Sequence, residues 1–594
     1  MKNIKRITIF IMSCLFIVAC NDEDFLDKSP KDELSAATIF STYNNIKTYA
    51  WSFYSFFDDY QRSTVWPAVS DYNSDLIQNG YSTVNPNYLN NSLTIPSTSG
   101  TWTGSYSNIR KINIMLDNIE TSDITEDERA HWRGVGLFFR AHEYFRLLST
   151  YGGVPWVEKE LTDVDTDILY GPRDTRDLVA DNILRDLQEA ISNINEQGDG
   201  TNTVNPDVAR ALLSRFGLFE GTWRKYHSLG DHEKFLNACI TASEYLVNKY
   251  PSIHPNYDQV YNSDDLGGKA GILLYTHYVL DELWHSISTN TRSTNNKIDI
   301  TKKGIDKFLT KDGLPIHNAG NTLYQGDKDR YTEFDNRDDR LLIMTPPPYK
   351  VNGDGSQDFT HTGNALEQKY FSVLESITTG FPYKNLPDRN WSGRVTGEVP
   401  NYNRLVPTQT SNGYRFWKIW NEHNFKVSSA DLNDFAIFRM GEVMLNYAEA
   451  TFEMGQFNQA IADATISKLR TRGNVAGLSI GSITADWDPM RDPAVDPVLW
   501  EIRRERAIEL LGDGYRTLDL RRWKKMDYAT EVKLGRWERQ SDYPITLPIQ
   551  NGASEGYLQL IPNTPPAFPE HYYLFPIPSS EIALNDQLVQ NPGY

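Results

Sequence analysis

The chain has 594 residues, with 78 acidic against 59 basic side chains and a net charge of −19. That excess argues against nucleic-acid partners and against adsorption on anionic lipid, because phosphate contacts need basic patches. The length allows a large core or two packed lobes, and no CxxC pair is present to build a metal site or redox centre.

The N-terminus carries Lys2, Lys5 and Arg6, then an apolar stretch from about Ile7 to Val18. That stretch is shorter than the ~20 residues needed to span a bilayer and fits a cleaved secretory leader. Ile17-Val18-Ala19-Cys20 resembles a bacterial lipobox. The resemblance implies cleavage after residue 19, lipidation of Cys20 and a stable anchor through several acyl chains. Loss of the three basic residues would bring the net charge to −22. Cys14 would leave with the leader, so Cys239 would be the one free thiol and no internal disulfide is expected. The acidic run Asn21-Asp22-Glu23-Asp24 resembles a surface-export signal of Bacteroidetes lipoproteins. No later segment is apolar enough to span a bilayer.

Helical periodicity dominates the first half. Trp102 opens a helix in TWTGSYSNIRKIN. Residues 133–148 place Leu137, Phe138, Ala141, Tyr144, Phe145 and Leu148 on one face, and Gly152-Gly153-Val154-Pro155 stops that helix. A second helix is expected at about 174–193, capped by Asp174 or Thr175, with Ile183, Leu184, Leu187 and Ile191 inward. Asn205-Pro206-Asp207 opens a third, through Ala211, Leu212, Phe216 and Phe219, and a fourth covers roughly 231–249. Residues 250–430 are irregular and rich in Gly, Pro, Asn, Asp and aromatics, with breakers at Pro346-Pro347-Pro348 and Asn352-Gly353-Asp354-Gly355. So much irregular chain in a compact protein usually carries function. Within 442–470, MGQFNQAI matches the turn of a tetratricopeptide repeat, with Gly455 at the turn, Phe457 packing and Ala460 permitting close helix approach. Stacked pairs of this kind form a superhelical scaffold. In 501–523, Glu505 and Glu509 are spaced for general acid–base work, but Arg506, Arg516, Asp519 and Arg522 interleave opposite charges, so structural ion pairs are expected. That helix should end near Gly512 or Gly514, and 540–594 is again irregular.

Enzyme signatures are missing. No GxSxG, P-loop or GxGxxG occurs, and His142-Glu143 and His232-Glu233 lack the second His of a zinc protease. The Asn352–Asp358 stretch hints at calcium but lacks the Glu at the twelfth position and reads as a turn. No metal or cofactor is expected. Sugar binding needs only exposed aromatic faces with amides and carboxylates beside them. Among 14 Trp, 33 Tyr and 26 Phe, those in polar, irregular surroundings are Trp66, Asp71, Tyr72, Trp102, Trp284, Tyr324, Trp391 and Trp417, with Tyr81 and Tyr88 in an Asn-rich loop. Packing competes with ligand contact at each of them.

Blocks FFRAHEYFRLLSTYGGVPWV (138–157), FRMGEVMLNYAEA (438–450), EIRRERAIELLGDGYRTLDLRRW (501–523) and YLFPIPSSEIALNDQLVQNPGY (573–594), with the lipobox, FLD at 25–27, KDGLPI at 311–316 and NRDDRL at 336–341, resemble the SusD/RagB family of nutrient-binding outer-membrane lipoproteins. The stretch around 345–430 departs from the family pattern. The resemblance implies a mainly α fold of tetratricopeptide-like helix pairs packed against an irregular, loop-rich region. It divides the chain into a leader (1–19), a lipidated acidic linker (20–34), an N-terminal helical region (35–250) and a C-terminal region (251–594). The last would hold ligand-side loops at 251–430 and repeat-like helices at 431–525. It also implies capture of oligosaccharides, or in some members peptides, without catalysis, over a SusC-like TonB-dependent transporter, and it puts Trp102 near a family ligand aromatic. The rival readings are a peptide-capturing relative, a surface glycoside hydrolase, which would need two carboxylates facing each other across an aromatic cleft, and a helical-repeat scaffold that binds only proteins.

Overall fold

The computed structural model describes residues 39–60, 67–287, 298–329, 331–345, 351–352, 360–361, 365, 369, 411–419, 430–543 and 545–594. Cys20, Trp66, Trp391 and residues 353–358 of the Asn352–Asp358 stretch lie outside them. The described chain is mainly α. After α1 (Tyr43–Trp51) come α2 (Gly100–Ile119), α3 (Glu126–Tyr151), α4 (Arg176–Asn193), α5 (Pro206–Tyr226) and α6 (His232–Lys249). Later follow α7 (Met440–Glu453), α8 (Gln459–Ala464), α9 (Ile466–Arg472), α10 (Pro497–Glu509) and α11 (Arg516–Arg522).

Local chemistry sets the helix ends. α3 starts seven residues before the apolar periodicity because Thr125 and Glu128 form a reciprocal capping box. Gly152, at φ +80°, ends it. Thr175, not Asp174, caps α4. Asn205 caps α5 by accepting from the amides of Asp207 and Val208, with Pro206 in the first turn.

From α2 to α7 each helix packs on the next in chain order, and α7 packs in turn on α10. The inward stripes merge into one core, in which Leu137, Phe138, Ala141, Tyr144, Leu148, Ile183, Leu187, Leu212 and Phe216 are buried. The α5–α6 contact is close because Gly217 faces α6: a Cβ there would meet the Phe235 carbonyl oxygen at 2.7 Å and the Cys239 amide at 2.9 Å. Cys239 is free and buried, and burial pushes its thiol up to about 12.

The repeat-like hairpin differs from expectation in two ways. Gly455 makes the turn at φ +70° and Phe457 packs on the core, as its motif requires. Ala460, however, is exposed, and Ala462 is the small buried residue of that helix. Asn458 caps the helix by accepting from the Ile461 amide, which turns position 460 outward. The second helix is also broken at Thr465 (φ −126°, ψ −88°), giving α8 and α9.

A second core gathers Ile77, Ile298, Ile300, Phe308, Leu341, Tyr414 and Trp417 with Ile508 of α10. Between the two cores runs a lattice of buried arginines and carboxylates centred on α10. Arg340 reaches Asp338 (2.7 Å), Glu505 (2.7 Å) and Glu509 (3.3 Å). Arg470 joins Glu501 and Glu505, and Arg439 and Arg472 both hold Glu509 at 2.5 Å. Arg506 bonds Asp519, Arg516 bonds Asp75, and Arg522 forks onto Glu449 at 2.7 and 2.6 Å. Glu505 and Glu509, the pair spaced for acid–base chemistry, are therefore fully engaged by arginines.

Glu449 also accepts from the Trp523 indole N–H. Burial alone would raise its carboxyl, but Arg522, Arg503 and Arg506 prevail and hold it at about 2, below its ordinary 4.5. Its stabilising contribution is therefore complete above pH 4.5 and is lost as pH falls towards 2. Removing one member of such a buried pair strands the other, so Glu449→Ala should destabilise the fold by ~3–5 kcal/mol. Urea unfolding at neutral pH checks the loss. The same variant, and Glu449→Gln, should flatten the acid limb of the stability curve.

Candidate ligand-binding face

Extended segments, rather than helices, build the face on which several of the sequence candidates meet. β1 (Ile77–Asn79) pairs antiparallel with β3 (Ile298–Ile300), Gln78 opposite Asp299. β2 (Ile272–Thr276) pairs elsewhere, with β4 (Phe435–Arg439). On the other side of β3, the Ile300 amide donates to Tyr414 O at 2.8 Å and the Phe416 amide to Ile298 O at 2.9 Å. The Arg536 amide donates to Asn412 O at 2.7 Å, and residues 535 and 536 exchange bonds with Leu558. Trp537–Arg539 pairs with Glu555–Tyr557 beyond that. Segments from sequence positions 77 to 558 thus lie side by side as one irregular layer.

Asp299 pins one end. Its Oδ2 accepts from the amides of Ser411 (2.9 Å) and Asn412 (3.2 Å), while Ser411 Oγ donates to Gly80 O at 2.7 Å. Tyr72 is half-buried here, and its carbonyl accepts from Lys533 Nζ at 3.0 Å. Burial first, then the charges of Asp299 and Tyr81, push the Tyr72 phenol up. Tyr81 stands beside it at 49% exposure. At the other end, Tyr557 donates to Asp327 at 2.7 Å, and Lys302 Nζ lies 3.0 Å from the same carboxylate. Tyr324 is half-buried under the Arg337 guanidinium, 5.3 Å from its ring centroid. Glu333 accepts from the Tyr414 hydroxyl at 2.5 Å, and burial raises its carboxyl to about 7 against the opposing pull of Lys302 and Arg337.

The structure therefore brings Tyr72, Tyr81 and Tyr324 to this layer and removes other candidates from it. Trp102 is 5% exposed and wedged against Tyr106 and Tyr151, with ring centroids at 5.2 Å. Trp417 is fully buried and donates to Leu342 O. Tyr88 is buried and stacks on Phe575. Asp71 is buried too: its carboxylate accepts from the amides of Gly514 and Thr517, fastening the start of α11, and burial raises it to about 7. These four are structural: Trp102 sits on the inward face of α2, and the irregular segments that hold Asp71, Tyr88 and Trp417 fold against the cores. Trp284 is exposed, but its loop is bonded to Asp431 and Asn433 rather than into the layer. Lys302, Asp327, Trp537 and Tyr557 were not singled out from the sequence. Tyr557 falls in a tail that reads only as irregular, and Lys302 is one lysine among many.

Asp265, His277 and Asp434 offer ligand atoms within 4.8 Å of one another. Asp434 accepts from the Leu266 and Tyr278 amides and from the His277 ring at 2.9 Å, and Asp265 accepts from the Gly267 amide at 2.7 Å.

A row of stacked helices carrying a layer of extended segments with tyrosines at its ends defines the class: a mainly α scaffold packed against an irregular, segment-built face. The profile of the SusD family matches residues 254–594, and one described as "starch-binding associating with outer membrane" matches residues 24–218. The chain belongs to the SusD family. A SusD-like protein of Formosa agariphila is 23% identical over 573 residues, covering 92% of this chain and 95% of the relative. One of Bacteroides ovatus is 24% identical over 293 residues, where the match spans about half of each protein (48% and 52%). A SusD-like carbohydrate-binding protein of Bacteroides fragilis superposes with a TM-score of 0.66 at 19% identity, over 93% of this chain and all of that one. A laminarin-binding SusD-like protein superposes at 0.52 and 16% identity, over 93% of this chain and all of that one. No helix among the described residues is long and apolar enough to cross a membrane.

Trp102 and Tyr81 separate packing from binding. Trp102→Ala should cost ~3–5 kcal/mol of stability, while Tyr81→Ala should leave the melting temperature within about 1–2 °C because its ring is half exposed. Differential scanning calorimetry of the two variants reads the difference.

Proposed function

We propose that the protein captures an oligosaccharide or polysaccharide at the outer surface of the cell, anchored through a lipidated Cys20, and hands it unchanged to a SusC-like TonB-dependent transporter. The observation that carries this reading is the segment layer itself. It offers the face of Tyr81 beside Tyr72 at one end and Tyr324 with Tyr557 at the other, among amides and carboxylates suited to sugar hydroxyls. The carbohydrate-binding and laminarin-binding descriptions of two structural neighbours support the ligand class.

A binding role also fits the state of the carboxylates. Asp299 is held by backbone amides, Asp327 by Lys302 and Tyr557, and Glu333 by Tyr414, so each fixes the layer rather than facing a partner across a cleft. The net charge, −22 once the leader is lost, likewise keeps the molecule off anionic surfaces other than through its anchor. Hand-over to a transporter requires release, so modest affinity with a fast off-rate is expected.

The test is an array of plant, host and microbial glycans probed with the purified chain, with a peptide pool alongside. Binding to one glycan class, weakened about tenfold or more in Tyr81→Ala and Tyr324→Ala but intact in correctly folded Trp284→Ala, is the expected result. Binding to peptides alone would replace this reading with peptide capture, and release of shortened glycans would show an enzyme.

A further inference from the structure

Next to the candidate ligand-binding face, and sharing Lys302 with it, a cavity of about 540 Å³ opens between the segments 301–307, 488–493 and 525–534 and the helix α10. Several cations on its wall have carboxylate partners. Lys303 lies 3.0 Å from Glu531 and 3.4 Å from Asp75, Arg504 binds Glu501 and Asp488, and Lys525 lies 2.6 Å from Asp492. Two others do not. Lys307 is 91% buried, at 9% relative exposure, and its ammonium rests over the Trp500 ring, 4.2 Å from the centroid. No carboxylate among the described residues lies within ion-pair distance of it. Lys533, 7% exposed, donates only to the carbonyls of Tyr72 and Ile77.

A buried ammonium without a paired anion is expensive, and an aromatic face offsets only ~2 kcal/mol of that. In a chain with 19 more acidic than basic side chains, leaving two such groups unpaired on one cavity wall is an unusual arrangement. Their surroundings accentuate it. Burial and the neighbouring Arg504, Lys303 and Arg516 push Lys307 down to about 7 against the pull of Asp75, and burial lowers Lys533 to about 8. Trp500 and Tyr528 add aromatic surface to the same wall. Sites that violate local pairing rules in this way are typically those kept for a ligand.

We propose that this cavity is a subsite for an anionic group, the carboxylate or sulfate of an acidic saccharide, held by Lys307 with support from Lys533 while the neighbouring sugar lies on the tyrosine-bearing face. This rests on the capture reading and narrows its ligand to charged glycans. The bound anion would supply the missing partner through charge-assisted hydrogen bonds, which are roughly twice as strong as neutral ones.

Isothermal titration calorimetry on the full chain, with a galacturonate trimer, a sulfated galactose trimer and an uncharged glucose trimer, tests it. At low salt one charged trimer should bind about tenfold or more tightly than the neutral one, with the margin shrinking as salt rises. Which charged trimer wins tells carboxylate from sulfate. Lys307→Met should abolish the preference without lowering the melting temperature, since it removes an unpaired buried charge, and Lys307→Arg should retain part of it. If Lys307→Met fails to fold, Lys533→Met and the salt series carry the same test. Equal binding of charged and neutral trimers, a preference that survives both substitutions, or no binding of either charged trimer would overturn the inference. Neutral glycans held through Tyr81 with no charge preference would overturn only this inference, whereas a glycan array silent throughout would remove the capture reading beneath it.

Discussion

The buried arginine–carboxylate lattice around α10 is the constraint on which the rest of the molecule depends. Glu501, Glu505 and Glu509 lie on one helix, and their arginine partners come from residues 340, 439, 470, 472 and 504. The lattice therefore ties the repeat-like helices to the irregular region through one shared element. Replacing such pairs by apolar side chains often preserves stability, but breaking one member is severe. Their value here is positional: each fork–fork contact accepts only one relative placement of the segments it joins.

That placement builds the candidate binding face. Arg516 grips Asp75, and Asp71 receives the amides at the start of α11, so the segment leading into β1 is fixed from the helical side. β1 then orders β3, β3 orders 411–416, and 411–416 meets the segment at 535–536. Tyr72 and Tyr81 flank the first step of this chain of contacts, and Tyr557 stands at the last. An aromatic surface held in this way is already ordered, so a ligand meeting it would not incur the entropy that loops otherwise lose on binding.

Much of the scaffold was legible in the sequence because helices announce themselves through local periodicity and caps. Asn205-Pro206 and Gly152 end or begin helices as read, and Gly455 turns the hairpin. The start of α3 escaped the apolar pattern because a polar capping box extends it, and Ala460 was misplaced because the Asn458 cap sets the helix phase. The alternation of Glu and Arg in 501–523 correctly pointed to ion pairs, though not to partners as distant as Arg340 and Asp75. The candidate face was harder. Trp102, Trp417 and Asp71 have polar neighbours in sequence yet lie in cores, while Tyr557 and Lys302 meet only through segments about 250 residues apart. Exposure of an aromatic in irregular chain is decided by long-range packing, which no local pattern encodes.

Hydrogen–deuterium exchange with and without a bound glycan tests most directly whether the segment layer is the preformed binding face. Residues 72–82, 298–302, 411–416 and 535–558 should gain protection, while α2 to α6 stay unchanged and the free protein already protects the amides of β1 and β3. Protection confined to the outer surface of the helix row, or a layer that exchanges freely until ligand is added, would contradict the account.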